Sequence, residues 1–170
     1  MSNARKPLRL NVGFLIHEEV GYSHDFPFAI QRILLGPDLE LWDLDGLLNV
    51  ARTAQGLLFT GGFSAHTGLE CVRCLRPFDQ KLNWSLTEMY AFNEKSVSDS
   101  GLIVPEDAQI DLQPLIREYA LLEIPIGPTC RPDCKGLCPV CGQDLNVRDC
   151  GHRSDTGTSS FASLRDLLHS

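Results

Sequence analysis

"LLFTGGFSAHTGLECVRCLRPFDQKLNWSLTEMYAF", residues 57–92, carries period-two alternation on both sides of a cysteine pair. Beyond the pair, Leu82, Trp84, Leu86, Tyr90 and Phe92 fall on one face, the pattern of a strand that buries one side. The stretch therefore predicts two strands joined through "RPFD" at 76–79, with Cys71 and Cys74 where the first one ends. Upstream, "LELWDL" and "LLNVARTA" read as further strands, and "AQG" at 54–56 as the turn into residue 57.

Leu8, Leu10, Val12, Phe14 and Ile16 alternate strictly and predict another strand. Phe26, Phe28 and Ile30 do the same, Pro27 suiting an edge strand or a turn, while "IQRILLG" is compatible with a short helix. Past residue 92 the polar stretch "NEKSVSDSGLIVPEDAQ" reads as a surface loop. Leu112, Leu115, Ile116, Tyr119 and Leu122 then recur at helical spacing, with Asp111 placed to cap the start and Pro125 to end it. A flexible link, "HRSDTGTSS", leads to a short closing helix with Phe161, Leu164 and Leu168 on one face. Strands followed by one main amphipathic helix predict an α+β fold on an antiparallel β-rich sheet, with a C-terminal zinc-binding segment. The expected divisions are a core at 1–129, a cysteine-rich segment at 130–152, and a link with a helix at 153–170.

The chain has 170 residues, 43% of them hydrophobic, enough for one ordinary core. It holds no apolar run near the roughly 18 residues a membrane helix needs, and its first residues lack a signal-peptide apolar region, so the expectation is a cytoplasmic protein. The net charge is −7, with net acid in residues 11–70 and 91–129. That balance argues against a whole surface built to neutralise phosphates and suits a basic protein partner at least as well.

"CRPDCKGLCPVCGQDLNVRDCGH", residues 130–152, holds five of the seven cysteines and ends in a histidine. A zinc ion takes four such ligands, and the upstream "CVRC" brings the candidates to eight, enough for two structural zinc ions. Glycine after the second cysteine of "CPVCG" lets the backbone turn so that amides face the sulfurs. Loop length then groups Cys138, Cys141, Cys150 and His152 as a local mixed site, and Cys71, Cys74, Cys130 and Cys134 as an all-thiolate site joining distant segments. A rival partition puts the two Cys-x-x-Cys pairs in one site and leaves Cys130, Cys134, Cys150 and His152 for a second or for none. With four protein ligands each, such sites are structural, not catalytic.

Other chemistry is sparse. "GFSAH" at 62–66 departs from the G-x-S-x-G nucleophile elbow at His66 and sits in a strand pattern, so it reads as sheet. A hydrolase would need Ser64 in a pocket beside a histidine base. His17, His24, His66 and His169 are scattered, and Trp42 and Trp84 read as core. Arg73 and Arg76 either contact phosphates or offset thiolate charge.

Across "LNVGFLIHEEVG", "CVRCLRPF" and "CKGLCPVCGQDLN" the chain resembles the YceD family, the large ribosomal RNA subunit accumulation proteins, from about residue 10 to the end. The resemblance matches Cys71, Cys74, Cys130, Cys134, Cys138 and Cys141. Many relatives have two cysteines where this chain has Cys150 and His152, a swap that zinc tolerates, and some lack the "CPVCG" piece. It implies a non-enzymatic cytoplasmic factor for large-subunit ribosomal RNA accumulation, acting in assembly or protecting precursor RNA. The implied partners are that RNA and/or a large-subunit ribosomal protein, with no membrane and no small-molecule substrate. The alternative is a thiol redox or metal-handling protein, whose cysteines would be free and reactive.

Overall fold

The computed structural model describes residues 7–97 and 100–152. They are mostly antiparallel sheet with few helices. A short strand β1 (Arg9–Asn11) and a single helical turn α1 (Gly13–Ile16) lead into four long strands: β2 (Ser23–Leu35), β3 (Leu39–Arg52), β4 (Gly56–Glu70) and β5 (Pro77–Ala91). A short strand β6 (Gln109–Asp111) and helix α2 (Gln113–Leu122) follow. The chain forms two compact units, one running to Leu69 and from Phe78 to Pro128, the other comprising Glu70–Pro77 and the chain from Thr129. No helix among the described residues is long and apolar enough to cross a membrane.

In the first unit, β2–β5 form an antiparallel sheet in sequence order, and β1 pairs with β6. Alternate side chains enter one core: Leu39, Leu41, Leu44, Leu48 and Val50 from β3, Leu57, Phe59, Phe63 and Ala65 from β4, and Leu82, Trp84, Leu86 and Tyr90 from β5. Phe28, Gly46 and Phe63 face one another across three strands. A Cβ at Gly46 would stand 2.2 Å from Phe63 Cδ1, so the glycine makes room for that ring. Phe63 stacks on Trp84 at 5.8 Å between centroids.

Several elements differ from the sequence expectation. The alternation from Leu8 to Ile16 holds only through Val12: Asn11 Oδ1 accepts from the Gly13 N–H, the chain winds into α1, and Phe14 is left 44% exposed. "LELWDL" and "LLNVARTA" are one strand, because a bulge with Asp43 at φ 51° shifts the phase and keeps both Leu41 and Leu44 inside. "IQRILL" by contrast continues β2 to Leu35, as the strand reading of that stretch expects, and Pro27 is tolerated because β2 is an edge strand. Pro77, Phe78 and Asp79 already belong to β5, so the turn lies upstream at 72–74. Trp84 is core, but Trp42 is only half-buried.

Helix α2 begins where Asp111 Oδ1 accepts the Gln113 N–H at 3.0 Å, and it ends three residues before Pro125. Leu112, Leu115, Ile116 and Ala120 are buried, whereas Leu122 is 76% exposed, so Ala120 takes the inward position the spacing assigned to Leu122. Arg117 ties the helix to the β2–β3 turn, donating to the Leu35 carbonyl and to Asp38. The expected link and closing helix, with Phe161, Leu164 and Leu168, lie outside the described residues, as does His169.

Candidate metal centres

Among its described residues, the second unit buries few side chains other than cysteine. Its buried positions among the described residues are Cys71, Cys74, Cys134, Cys138 and Gly136. So few buried apolar side chains among the described residues call for another source of cohesion.

Both Cys-x-x-Cys pairs fold into the same tight loop. The residue after the second cysteine donates its N–H to the first cysteine's carbonyl at 2.9 Å, Leu75 to Cys71 in one loop and Gly142 to Cys138 in the other. That residue is left-handed in each case, Leu75 at φ 57° and Gly142 at φ 72°. Glycine adopts this conformation freely, and leucine does so under strain. The loops aim their sulfurs at two groups, Cys71, Cys74, Cys130 and Cys134, and Cys138, Cys141, Cys150 and His152, in each of which the ligand atoms lie within 4.8 Å of one another. The rival partition is not the one the fold adopts, since the two Cys-x-x-Cys pairs fall in different groups.

The spacing suits a tetrahedral ion. Metal–sulfur bonds of about 2.3 Å give sulfur–sulfur edges of about 3.8 Å, and the Cys71–Cys134 and Cys74–Cys130 sulfurs stand 3.8 and 3.7 Å apart. An imidazole nitrogen bound at about 2.0 Å gives a shorter edge of about 3.5 Å, and His152 Nδ1 lies 3.3 Å from the Cys150 sulfur. All seven cysteines are free thiols. Either group could hold a metal ion, and neither would leave a ligand position for water or substrate.

Electrostatics favour a cation in both groups. Burial opposes ionisation of Cys71, but the N–H groups of Cys130, Cys74 and Arg73 outweigh it and bring the thiol down to about 6. The N–H groups of Cys141 and Val140 bring Cys138 down to about 6. Burial and the neighbouring sulfurs push Cys130 up to about 12. Cys150 also rises, although the His152 N–H pulls the other way, because the Cys138 sulfur and burial oppose its charge. One thiolate thus forms readily in each group and disfavours the next, until a cation offsets the accumulating charge.

A framework of hydrogen bonds braces the groups. Arg73 Nη1 donates to the Cys134 carbonyl at 3.0 Å and Arg76 Nη2 to Asp144 Oδ2 at 2.6 Å, so both arginines serve as loop braces. Asp144 is held below the usual carboxylate range, first by the backbone and side-chain N–H groups of Asn146. Asn146 Nδ2 also donates to the Cys134 sulfur at 3.5 Å. In the sequence, residues 142–149 read only as a closing loop, and the one signal for Asp144 and Asn146 is the Asp-x-Asn spacing of a side-chain-capped turn. A backbone carbonyl contact, such as that of Arg73, leaves no such signal.

Outside these groups, His66 Nδ1 lies 2.8 Å from Asp79 Oδ2, a side-chain hydrogen bond on the sheet. Ser64 lies opposite Asp45 in the β3–β4 ladder.

A strand-built unit carrying a second unit with two four-ligand groups describes a protein whose candidate metals would be scaffolding. The model of the large ribosomal RNA subunit accumulation protein YceD matches residues 59–168, and the chain belongs to that family. An uncharacterized protein of Mycobacterium tuberculosis is 38% identical over 134 residues, 75% of this chain and 62% of its own length. An uncharacterized protein of Mycobacterium leprae is 32% identical over 125 residues, 71% of this chain and 57% of its own. The match thus spans about three-fifths of the length of these mycobacterial relatives. The chloroplastic large ribosomal RNA subunit accumulation protein YCED homolog 1 of Arabidopsis thaliana is 42% identical over 67 residues, 38% of this chain and 21% of its own. No solved structure matches the chain.

Proposed function

We propose that this chain is a non-enzymatic, cytoplasmic factor that supports accumulation of large-subunit ribosomal RNA during ribosome assembly. Its metals are two structural zinc ions, one held by Cys71, Cys74, Cys130 and Cys134, the other by Cys138, Cys141, Cys150 and His152. They fix the second unit as a rigid surface for a ribosomal component. The observation that carries this reading is the family match over residues 59–168, which takes in every one of those eight ligands. The net charge of −7 favours a basic large-subunit ribosomal protein over bare RNA as the direct contact, since seven thiolates against two divalent ions make the chain more acidic still.

Crosslinking in growing cells, followed by recovery of the chain and sequencing of bound RNA and peptides, tests the proposal. Enrichment of large-subunit ribosomal proteins or of large-subunit RNA is expected. Enrichment of neither would overturn it. The thiol redox alternative draws on the lowered Cys71 and Cys138 thiols. It requires reactive cysteines in the protein as purified under reducing conditions, where tightly held zinc would leave none.

A further inference from the structure

Resting on the reading that both groups hold metal, we propose that they are coupled through Asp144 and Asn146. Filling the local group of Cys138, Cys141, Cys150 and His152 then tightens metal binding by the all-thiolate group. Both residues lie between Cys141 and Cys150, in the loop that the local group closes, yet their side chains reach the other group's segments. Asn146 Nδ2 donates to the Cys134 sulfur at 3.5 Å, and its Oδ1 accepts from the Lys135 N–H at 2.8 Å and from Arg131 Nη2 at 3.0 Å. Asp144 Oδ2 accepts from Arg76 at 2.6 Å, two residues beyond Cys74. Leu145 between them donates its N–H to the Gly136 carbonyl at 2.9 Å, next to Leu137, whose own N–H reaches the Arg73 carbonyl at 2.9 Å. Three consecutive residues thus touch both segments that furnish the all-thiolate ligands.

The loop has little else to order it. The buried residues of this unit, among those described, are cysteines and Gly136, so with the local group empty the 142–149 segment regains chain entropy that its hydrogen bonds must oppose. Asn146 is then no longer held against Cys134, and the sulfur loses the side-chain N–H that orients it within its group. Hydrogen-bond partners of metal ligands are commonly worth about 10–100-fold in metal affinity, which sets the size of the effect. Linkage requires the influence to run equally in both directions.

The test uses the full chain, reduced and metal-free. Co2+ reports the two groups separately, because four-sulfur and three-sulfur-one-nitrogen sites absorb differently, and Zn2+ affinity follows by chelator competition. Cys138→Ser/Cys141→Ser, which empties the local group, is expected to weaken Zn2+ binding by the all-thiolate group about 10–100-fold. Asn146→Ala should weaken the same group by a comparable factor while its local ligands stay intact. Combining the two changes should add little, since each removes the same link. Far-UV circular dichroism verifies that the sheet unit is retained in every variant. Undiminished affinity of the all-thiolate group in Cys138→Ser/Cys141→Ser, or full additivity with Asn146→Ala, would overturn the coupling while leaving both metal groups standing. A wild-type chain that takes up neither Co2+ nor Zn2+ would instead overturn the metal reading itself.

Discussion

At the scale of single residues, the two cysteine loops solve one conformational problem with different side chains. Gly142 sits at φ 72° with nothing near its missing Cβ, so Gly142→Ala is charged only for the left-handed backbone. A loss of about 1–2 kcal/mol is expected in denaturant unfolding of the metal-bound chain. Leu75 already bears that strain at φ 57° and is 55% exposed. Leu75→Gly should therefore be close to neutral, within about 1 kcal/mol, relief of strain being offset by a more flexible unfolded chain. Glycine after "CPVC" made the first loop legible in the sequence; leucine in the same conformation gave no such sign. With the loops folded and their N–H groups in place, the Cys71 and Cys138 thiols are brought down to about 6, against about 8.5 for an ordinary thiol. Their contribution to stability is full above the unfolded value and is lost as the pH falls through 6. Cys130, raised to about 12, acts oppositely: its share is full below the unfolded value and gone above 12.

At the scale of elements, period two and helical spacing located β2–β5 and α2, because each buries one face against a common core. Their limits were less legible. The end of β1 depends on a local bond from the Gly13 N–H to Asn11, and the unity of β3 on a bulge at Asp43, neither of which hydrophobic pattern encodes. Leu122 and Ala120 exchanged roles because spacing alone does not say which flank of the apolar stripe meets the sheet. β3 and β4 lie inside the sheet and β2 and β5 at its edges. Hydrogen exchange should show the slowest amides in β3 and β4, with faster exchange along the outer side of β2. The aromatic row gives a second check. At Gly46 a methyl group would meet the Phe63 ring at 2.2 Å, so Gly46→Ala should cost about 1–3 kcal/mol by overpacking, read from the shift in denaturation midpoint.

At the scale of the whole molecule, cohesion has two sources. The sheet unit rests on an apolar core, whereas the described residues of the second unit, Glu70–Pro77 and 129–152, bury mainly cysteines. Eight candidate ligands were legible by counting, and loop length grouped them as the fold does; the hydrogen bonds through Asp144 and Asn146 were not, because side-chain contacts between loops leave no periodic trace. Chelation should therefore loosen the second unit while the strands persist, seen as loss of hydrogen-exchange protection at 71–76 and 136–146 with little change in 39–70. The most direct single measurement is native mass spectrometry of the full chain purified under reducing conditions without added metal. The expected result is one species carrying two zinc ions, falling to one on Cys138→Ser/Cys141→Ser. A metal-free chain whose seven cysteines all react at once with a thiol reagent would contradict it.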